Sequence, residues 1–243
     1  LLTFNSLQGT PQWSTERPIP LLSGSHDKVV FRAAGSTVAS YNFDEMLDTL
    51  MINGYHFDAI KKLSGCLPAL ALPPANGSII PRDWSTFVQD FIHDDGPDPH
   101  IQKPNKIAAL SRTVIADRSY DDASGSQRAT AAFYEDLHNV VYDAPFNTPA
   151  GIRGKYCRSI VFRTTHGRQL FVSQKGYLGL GPADAKEGDI LCILLGVRVP
   201  LVLRQERNHY TIIGDCYVDG VMDGELIEAM EAGKPKAEPI YIR

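Results

Sequence analysis

Cys157 together with His166 or His209 is the pair in this sequence able to supply a nucleophile and its base, because such residues need only meet in space. No local signature surrounds Cys157, and no Gly-x-Ser-x-Gly elbow exists, so a packing role at the start of a strand stands beside the catalytic reading. A second route to acid–base chemistry runs through Asp215, Asp219, Asp223 and Glu225. Strand alternation places Asp215 and Asp219 on one face, but such a pair works only inside a cleft that shifts its protonation. Capping and turn formation explain Asp219-Gly220 and Asp223-Gly224 more simply. Among possible metal ligands, His93, Asp94, Asp95, Asp98 and His100 form the densest group. The glycine and distal glutamate of a calcium loop are missing there, and no His-x-His or His-Glu-x-x-His occurs. That group reads as an acidic helix end, and no metal or cofactor is expected.

The stretch "KGYLGLGPADAKEGDILCILLGVRVPLVLR", residues 175–204, raises a different chemistry. A dinucleotide fingerprint needs three glycines between a strand and a helix, so that backbone amides and the helix N-terminus hold a pyrophosphate. Gly179 and Gly181 supply the first pair, but Asp184 takes the third place and "ILCILL" follows instead of a helix. The glycines are therefore read as turns into a β-core, with Asp189 fixing the turn before "ILCILL" and with Arg198 and Arg204 as polar members of a strand pair. Gly176, Tyr177, Gly179, Gly181, Arg198 and Arg204 become the candidate binding residues, over which a ligand or protein surface can be built.

These residues have to be positioned by a chain of 243 residues, 43% hydrophobic, which is long enough to bury a sizeable core. The net charge of −4 gives no drive toward nucleic acid or an anionic membrane. Residues 1–150 hold 11 basic and 17 acidic side chains, and residues 151–243 hold 13 and 11, a modest shift read as ordinary surface. Cys66, Cys157, Cys192 and Cys216 form no Cys-x-x-Cys pair, which fits a reducing, cytoplasmic setting. No apolar run approaches a membrane span, and no signal peptide opens the chain, which starts at Leu1 and reads as a fragment or trimmed chain.

The periodicity predicts an α+β fold in which a small antiparallel β-barrel or sandwich core is built from strands near both ends, with a helical insertion. Residues 1–27 read as an extended arm and 28–243 as one domain. Within it, strands are expected over 28–62, with a glycine kink at Gly54, and a helical insertion over 81–143. The insertion carries helices in "PRDWSTFVQDFIHDD", "PNKIAALSRTVIAD" and "SQRATAAFYEDLHNVVYD", with "DRSYDDASGS" as a solvated loop. A β-rich part over 155–219 begins at "YCRSIVFRT", and "MDGELIEAMEAG" closes with a short helix.

The cluster from Gly176 to Leu226, including "YTIIGDCYVDGVMDGEL", resembles the C-terminal region of fungal heterokaryon-incompatibility (HET) domain proteins. "FRAAGST" at 31–37, "MINGYHFDAI" at 51–60 and "LSRTVIAD" at 110–117 resemble shorter landmarks upstream in the same proteins. No counterpart of the N-terminal HET domain, with its "SYxWG"-like segment, is seen. The resemblance implies a non-catalytic regulatory or recognition module in non-self recognition and cell death, with an N-terminal HET-type effector domain or another protein as partner. A second copy of the chain is a further expected partner; nucleic acid and membrane are not. A hydrolase-type enzyme using the Cys157 pair or the carboxylates is the alternative.

Overall fold

A computed structural model describes residues 31–46, 48–66, 84–94, 96, 106–121, 125–142, 149–231 and 236–243. The expected arm at 1–27, and Asp95, Asp98 and His100, lie outside the described residues.

Alternating apolar residues form the strands that make the barrel. β1 (Tyr41–Asp44) turns back into β2 (Thr49–Leu63), the "MINGYHFDAI" strand read from sequence. Further along, β7 (Ile190–Leu194), β8 (Leu201–Gln205) and β9 (Tyr210–Asp215) form an antiparallel meander. β11 (Glu238–Ile242) then lies antiparallel to β2 and parallel to β9, while β7 pairs with the other side of β2. The order β2-β11-β9-β8-β7 thereby returns to β2 as a closed ring of five strands. Ile52, Cys192, Leu194, Leu201, Leu203, Ile240 and Ile242 pack together inside it.

β2 leaves the ring by bending at two register shifts, between His56 and Asp58 and between Ile60 and Lys62, as bulges allow. Its far end pairs with β5 (Arg168–Ser173), which continues through β6 (Leu178–Pro182) to β10 (Tyr217–Val218). This second sheet is buried on both faces. Phe171 points into a cluster with Phe57, Leu191, Ile193 and Val202 of the barrel, whereas Leu170, Val172, Leu178 and Leu180 meet the helices. Those helices are α1 (Ser85–His93), α2 (Lys106–Val114), α3 (Ala131–Tyr142) and α4 (Pro149–Thr165), with α5 (Glu225–Glu231) against the barrel cluster through Ile227.

The fold is thus α+β around a small β-barrel, with four corrections of detail. "YCRSIVFRT" is helix, so the β-rich part begins at Arg168 rather than at 155, and Cys157 sits on a helix rather than at the start of a strand. The buried positions Cys157, Ile160, Val161, Thr164 and Thr165 follow a helical stripe, which outweighs β-branched content. "DRSYDDASGS" together with "SQR" forms a hairpin, β3 (Arg118–Asp121) with β4 (Gly125–Arg128), so the helical block is interrupted by strands and runs on past 143. "FRAAGST" is a turn instead of a strand end, with Gly35 at φ 59°. Finally, Arg198 lies in the β7–β8 connection, whereas Gly179 and Gly181 lie within β6 rather than in turns.

Candidate functional site

Helix α2 ends in a tight reversal that carries a network of buried and half-buried polar side chains. The Asp117 N–H donates to the Arg112 carbonyl at 2.7 Å, and Ala116 and Asp117 both hold left-handed φ values, 48° and 50°. Non-glycine residues avoid that region unless their surroundings hold them there. Here the Asp117 carboxylate accepts from the Tyr134 hydroxyl of α3 and from the Arg128 guanidinium of β4, and its carbonyl accepts from the Ala129 N–H at 3.1 Å. Arg128 also reaches Asp223, ahead of α5.

One turn earlier, Arg112 makes a two-pronged pair with Asp219, Nε to Oδ1 and Nη2 to Oδ2, both 2.6 Å. The Tyr217 hydroxyl donates to the same carboxylate at 3.0 Å. Phe31 joins the two halves: its ring centroid lies 6.0 Å from that of Tyr217 and 4.8 Å beneath the Arg128 guanidinium. Burial pushes the Asp117 carboxyl upward, opposed by the Tyr134 hydrogen bond and the Arg128 charge. Burial first, and then the neighbouring carboxylates, raise the Tyr134 and Tyr217 phenols.

Four separate stretches meet in this knot: "FRAAGST" through Phe31, "LSRTVIAD" through Arg112 and Asp117, the β4–α3 region through Arg128 and Tyr134, and "YVDGVMDGE" through Tyr217, Asp219 and Asp223. None of Arg112, Asp117, Arg128 and Tyr134 was a candidate from sequence. The usable signal was the landmark status of "LSRTVIAD", combined with the rule that a buried carboxylate needs a cation.

The candidate acid–base groups are drawn into similar internal pairs or buried apart. Asp215 accepts from Arg168 at 2.9 Å, Asp219 belongs to Arg112, and Glu225 accepts from the Asp223 N–H at 2.7 Å. Cys157 is 1% exposed within the apolar core beneath α4. His166 follows nine residues later, just past the end of the same helix. At ~1.5 Å of rise per residue the two stand about 13 Å apart along the axis, beyond any thiol–imidazole hydrogen bond. His209 lies in the β8–β9 turn, where its Nδ1 faces the Asn208 side chain at 3.2 Å. Among the described residues no group of three His, Cys, Asp or Glu side chains is placed to hold a metal ion.

The glycine cluster divides by position. Gly176 turns the chain between β5 and β6 at φ 92°. Tyr177 is half-buried, edge-on to Phe57 with ring centroids 6.1 Å apart, and burial followed by the Asp58 and Glu225 charges raises its phenol. Gly179 and Gly181 are buried in β6 beneath Phe171, and a Cβ on Gly179 would stand 2.2 Å from that ring. Gly179→Ala is expected to lower unfolding free energy by about 1–3 kcal/mol through overpacking, with Phe171→Leu in the same chain recovering part of it. An unchanged urea midpoint for the alanine variant would show that the ring has room to move.

Arg204 on β8 fastens the turn before β7: Nε and Nη2 donate to the two Asp189 carboxylate oxygens at 2.9 and 2.8 Å, and Asp189 accepts from the Lys186 N–H at 2.8 Å. With Lys186, Ile212 and Ile213, Arg204 also borders an open groove of about 470 Å3. Arg198 is exposed.

Comparison with known proteins accords with this architecture. The model of the Het-6 beta-barrel domain matches residues 111–234. That span contains β7, β8 and β9, whereas the ring's other two strands, β2 and β11, flank it. Heterokaryon incompatibility protein 6, OR allele, of Neurospora crassa is 36% identical over 73 residues, which is 28% of this chain and 11% of the relative. The chain thus spans about a tenth of that relative's length. No solved structure matches. Among the described residues no helix is long and apolar enough to cross a membrane. With the terminal cluster, the five-stranded ring and a family match over half its length in agreement, the chain belongs to the Het-6 β-barrel domain family.

Proposed function

We propose that this chain is a non-catalytic recognition or regulatory module in fungal heterokaryon incompatibility, binding a HET-type effector domain or another protein in the cytoplasm. The supporting observation is the commitment of its reactive side chains to internal structure. The candidate carboxylates are held by Arg168, Arg112 and a backbone amide, and Cys157 is sealed in the core. A protein organised this way acts through differential contacts, favouring one state of a partner over another. Cys157, Cys192 and Cys216 are buried thiols outside any disulfide, in keeping with a reducing compartment.

Gly176, Tyr177 and Arg198 retain surface for such contacts; Arg204 is partly exposed but anchored to Asp189, and Gly179 and Gly181 are covered. The test is calorimetric titration of the purified chain with a separately expressed HET domain from a protein carrying this barrel. A one-to-one complex weakened about tenfold or more by Arg198→Glu and by Tyr177→Ala, in variants that still melt cooperatively, supports the reading. Absence of a complex, together with turnover of ester or glycoside substrates that is lost in Cys157→Ala or Asp215→Asn, overturns it in favour of the enzyme.

A further inference from the structure

Strand β1 combines an edge that no described strand shares, an apolar face and acidic neighbours. Among the described residues it pairs with β2 alone, and all four of its residues are exposed. Opposed residues of an antiparallel ladder share a face. Tyr41 stands opposite Ile52 and Phe43 opposite Leu50, and across β2 the same two residues face Ile240 and Ile242. Ile52, Ile240 and Ile242 line the barrel interior. The interior face therefore runs outward onto Tyr41 and Phe43, which remain 54% and 51% exposed. β11 takes one edge of β2 here, and β7 takes the opposite edge only from Gly54 onward, so β1 continues that second edge where the ring has ended. Val38 and Met46 flank the strand at 83% and 96% exposure.

Along the hairpin itself the charge is one-sided, with Arg243, next to the Ile242 that pairs with Leu50, standing beyond β2. Asp44, Glu45 and Asp48 are exposed around the β1–β2 turn, and no Lys or Arg occurs between Val38 and Ile60. Asp44 Oδ1 accepts from the Met46 N–H at 3.0 Å, which holds that turn in shape. An open edge with a sticky face is normally blunted by lysine, proline or a covering element, and these four residues contain neither lysine nor proline.

We propose that β1 receives an extended segment of a partner protein, added as a further strand, in which apolar residues alternate with Lys or Arg. Backbone hydrogen bonds to the β1 edge fix the register, the apolar residues cover Tyr41 and Phe43, and the cations meet Glu45 and Asp48. A second copy of this chain fits less well, because its own β1 brings no cation. The surface lies toward the end of β2 away from Tyr177, whose carbonyl accepts from Ser173, the partner of Ile60. It therefore stands or falls independently of the Tyr177 and Arg198 contacts proposed above.

The experiment uses the full chain and a short synthetic peptide alternating lysine and valine, with an alternating glutamate–valine peptide as control. Binding is read by fluorescence anisotropy and by amide hydrogen exchange. The lysine peptide is expected to slow exchange within residues 41–44 and to bind at least about tenfold more tightly than the glutamate peptide, a preference that shrinks with salt. The double variants Tyr41→Ser/Phe43→Ser and Glu45→Gln/Asp48→Asn change exposed groups, so their melting points serve as the folding control; each is expected to weaken binding about tenfold. Unchanged exchange over 41–44, equal affinity for the two peptides, or a dimer of the chain that Phe43→Ser dissolves would each overturn the proposal.

Discussion

Deletion of residues 237–243 is expected to destroy the folded barrel. Those residues contain β11, which stands between β2 and β9 and closes that side of the ring. Without it β2 exposes a row of unpaired backbone groups from Leu50 to Gly54, β9 loses its pairing at Tyr210, and the interior loses Ile240 and Ile242, 1% and 7% exposed. Truncating a single buried isoleucine to alanine costs about 2–5 kcal/mol, and a whole domain is stable by only about 5–15 kcal/mol. Losing both side chains together with the ladder exceeds that margin. Circular dichroism and size exclusion of the shortened chain should show loss of β signal and aggregation, while Ile240→Ala in the complete chain should remain folded with a lowered urea midpoint. A truncated chain that unfolds cooperatively at the original midpoint would refute the role given to β11.

Arg112→Ala should have the second-largest effect. The substitution strips the two-pronged guanidinium from the Asp219 carboxylate, which is 2% exposed, while the Tyr217 hydroxyl still donates to it. Removing one member of such a pair costs about 3–5 kcal/mol, whereas replacing both by apolar residues of similar volume is close to neutral. The double variant Arg112→Met/Asp219→Leu should therefore recover much of the stability lost in Arg112→Ala. Urea denaturation of the two single variants and the double variant measures the coupling directly. Additive effects would mean that the pair contributes nothing as a unit.

Short apolar runs closed by turn signals, and apolar residues at helical spacing, appear as the elements their pattern predicts. β5 through β9 each follow a short apolar run closed by a turn signal, and α1 and α2 carry apolar residues at three- and four-residue steps. Where reading failed, two patterns competed in one stretch. "YCRSIVFRT" is rich in β-branched residues, yet its buried positions recur with a helical period, and packing against the second sheet decided the outcome. β11 went unread because "EPIYIR" buries only Ile240 and Ile242 while Pro239 and Tyr241 stay exposed, a half-strand that makes sense only beside β2. The polar knot was equally hidden. Arg112, Arg128 and Tyr134 look like ordinary helix and loop polar residues until the chain brings carboxylates from far along the sequence against them. Conversely, the glycines after Lys175 looked functional, and for Gly179 the reason for glycine is the volume of the Phe171 ring.

The pairing of β2 with β11 also governs how the chain reaches its native state. Ile52 and Ile240 stand near opposite ends of the described sequence, and loop-closure entropy has to be overcome before their contact contributes anything. The local pieces, the β5–β6 hairpin and the β7–β8–β9 meander, form at far smaller sequence separation. Ring closure is therefore a late and slow event, preceded by an open sheet whose β7 and β9 edges are exposed. At that stage unpaired strand edges favour pairing with another chain.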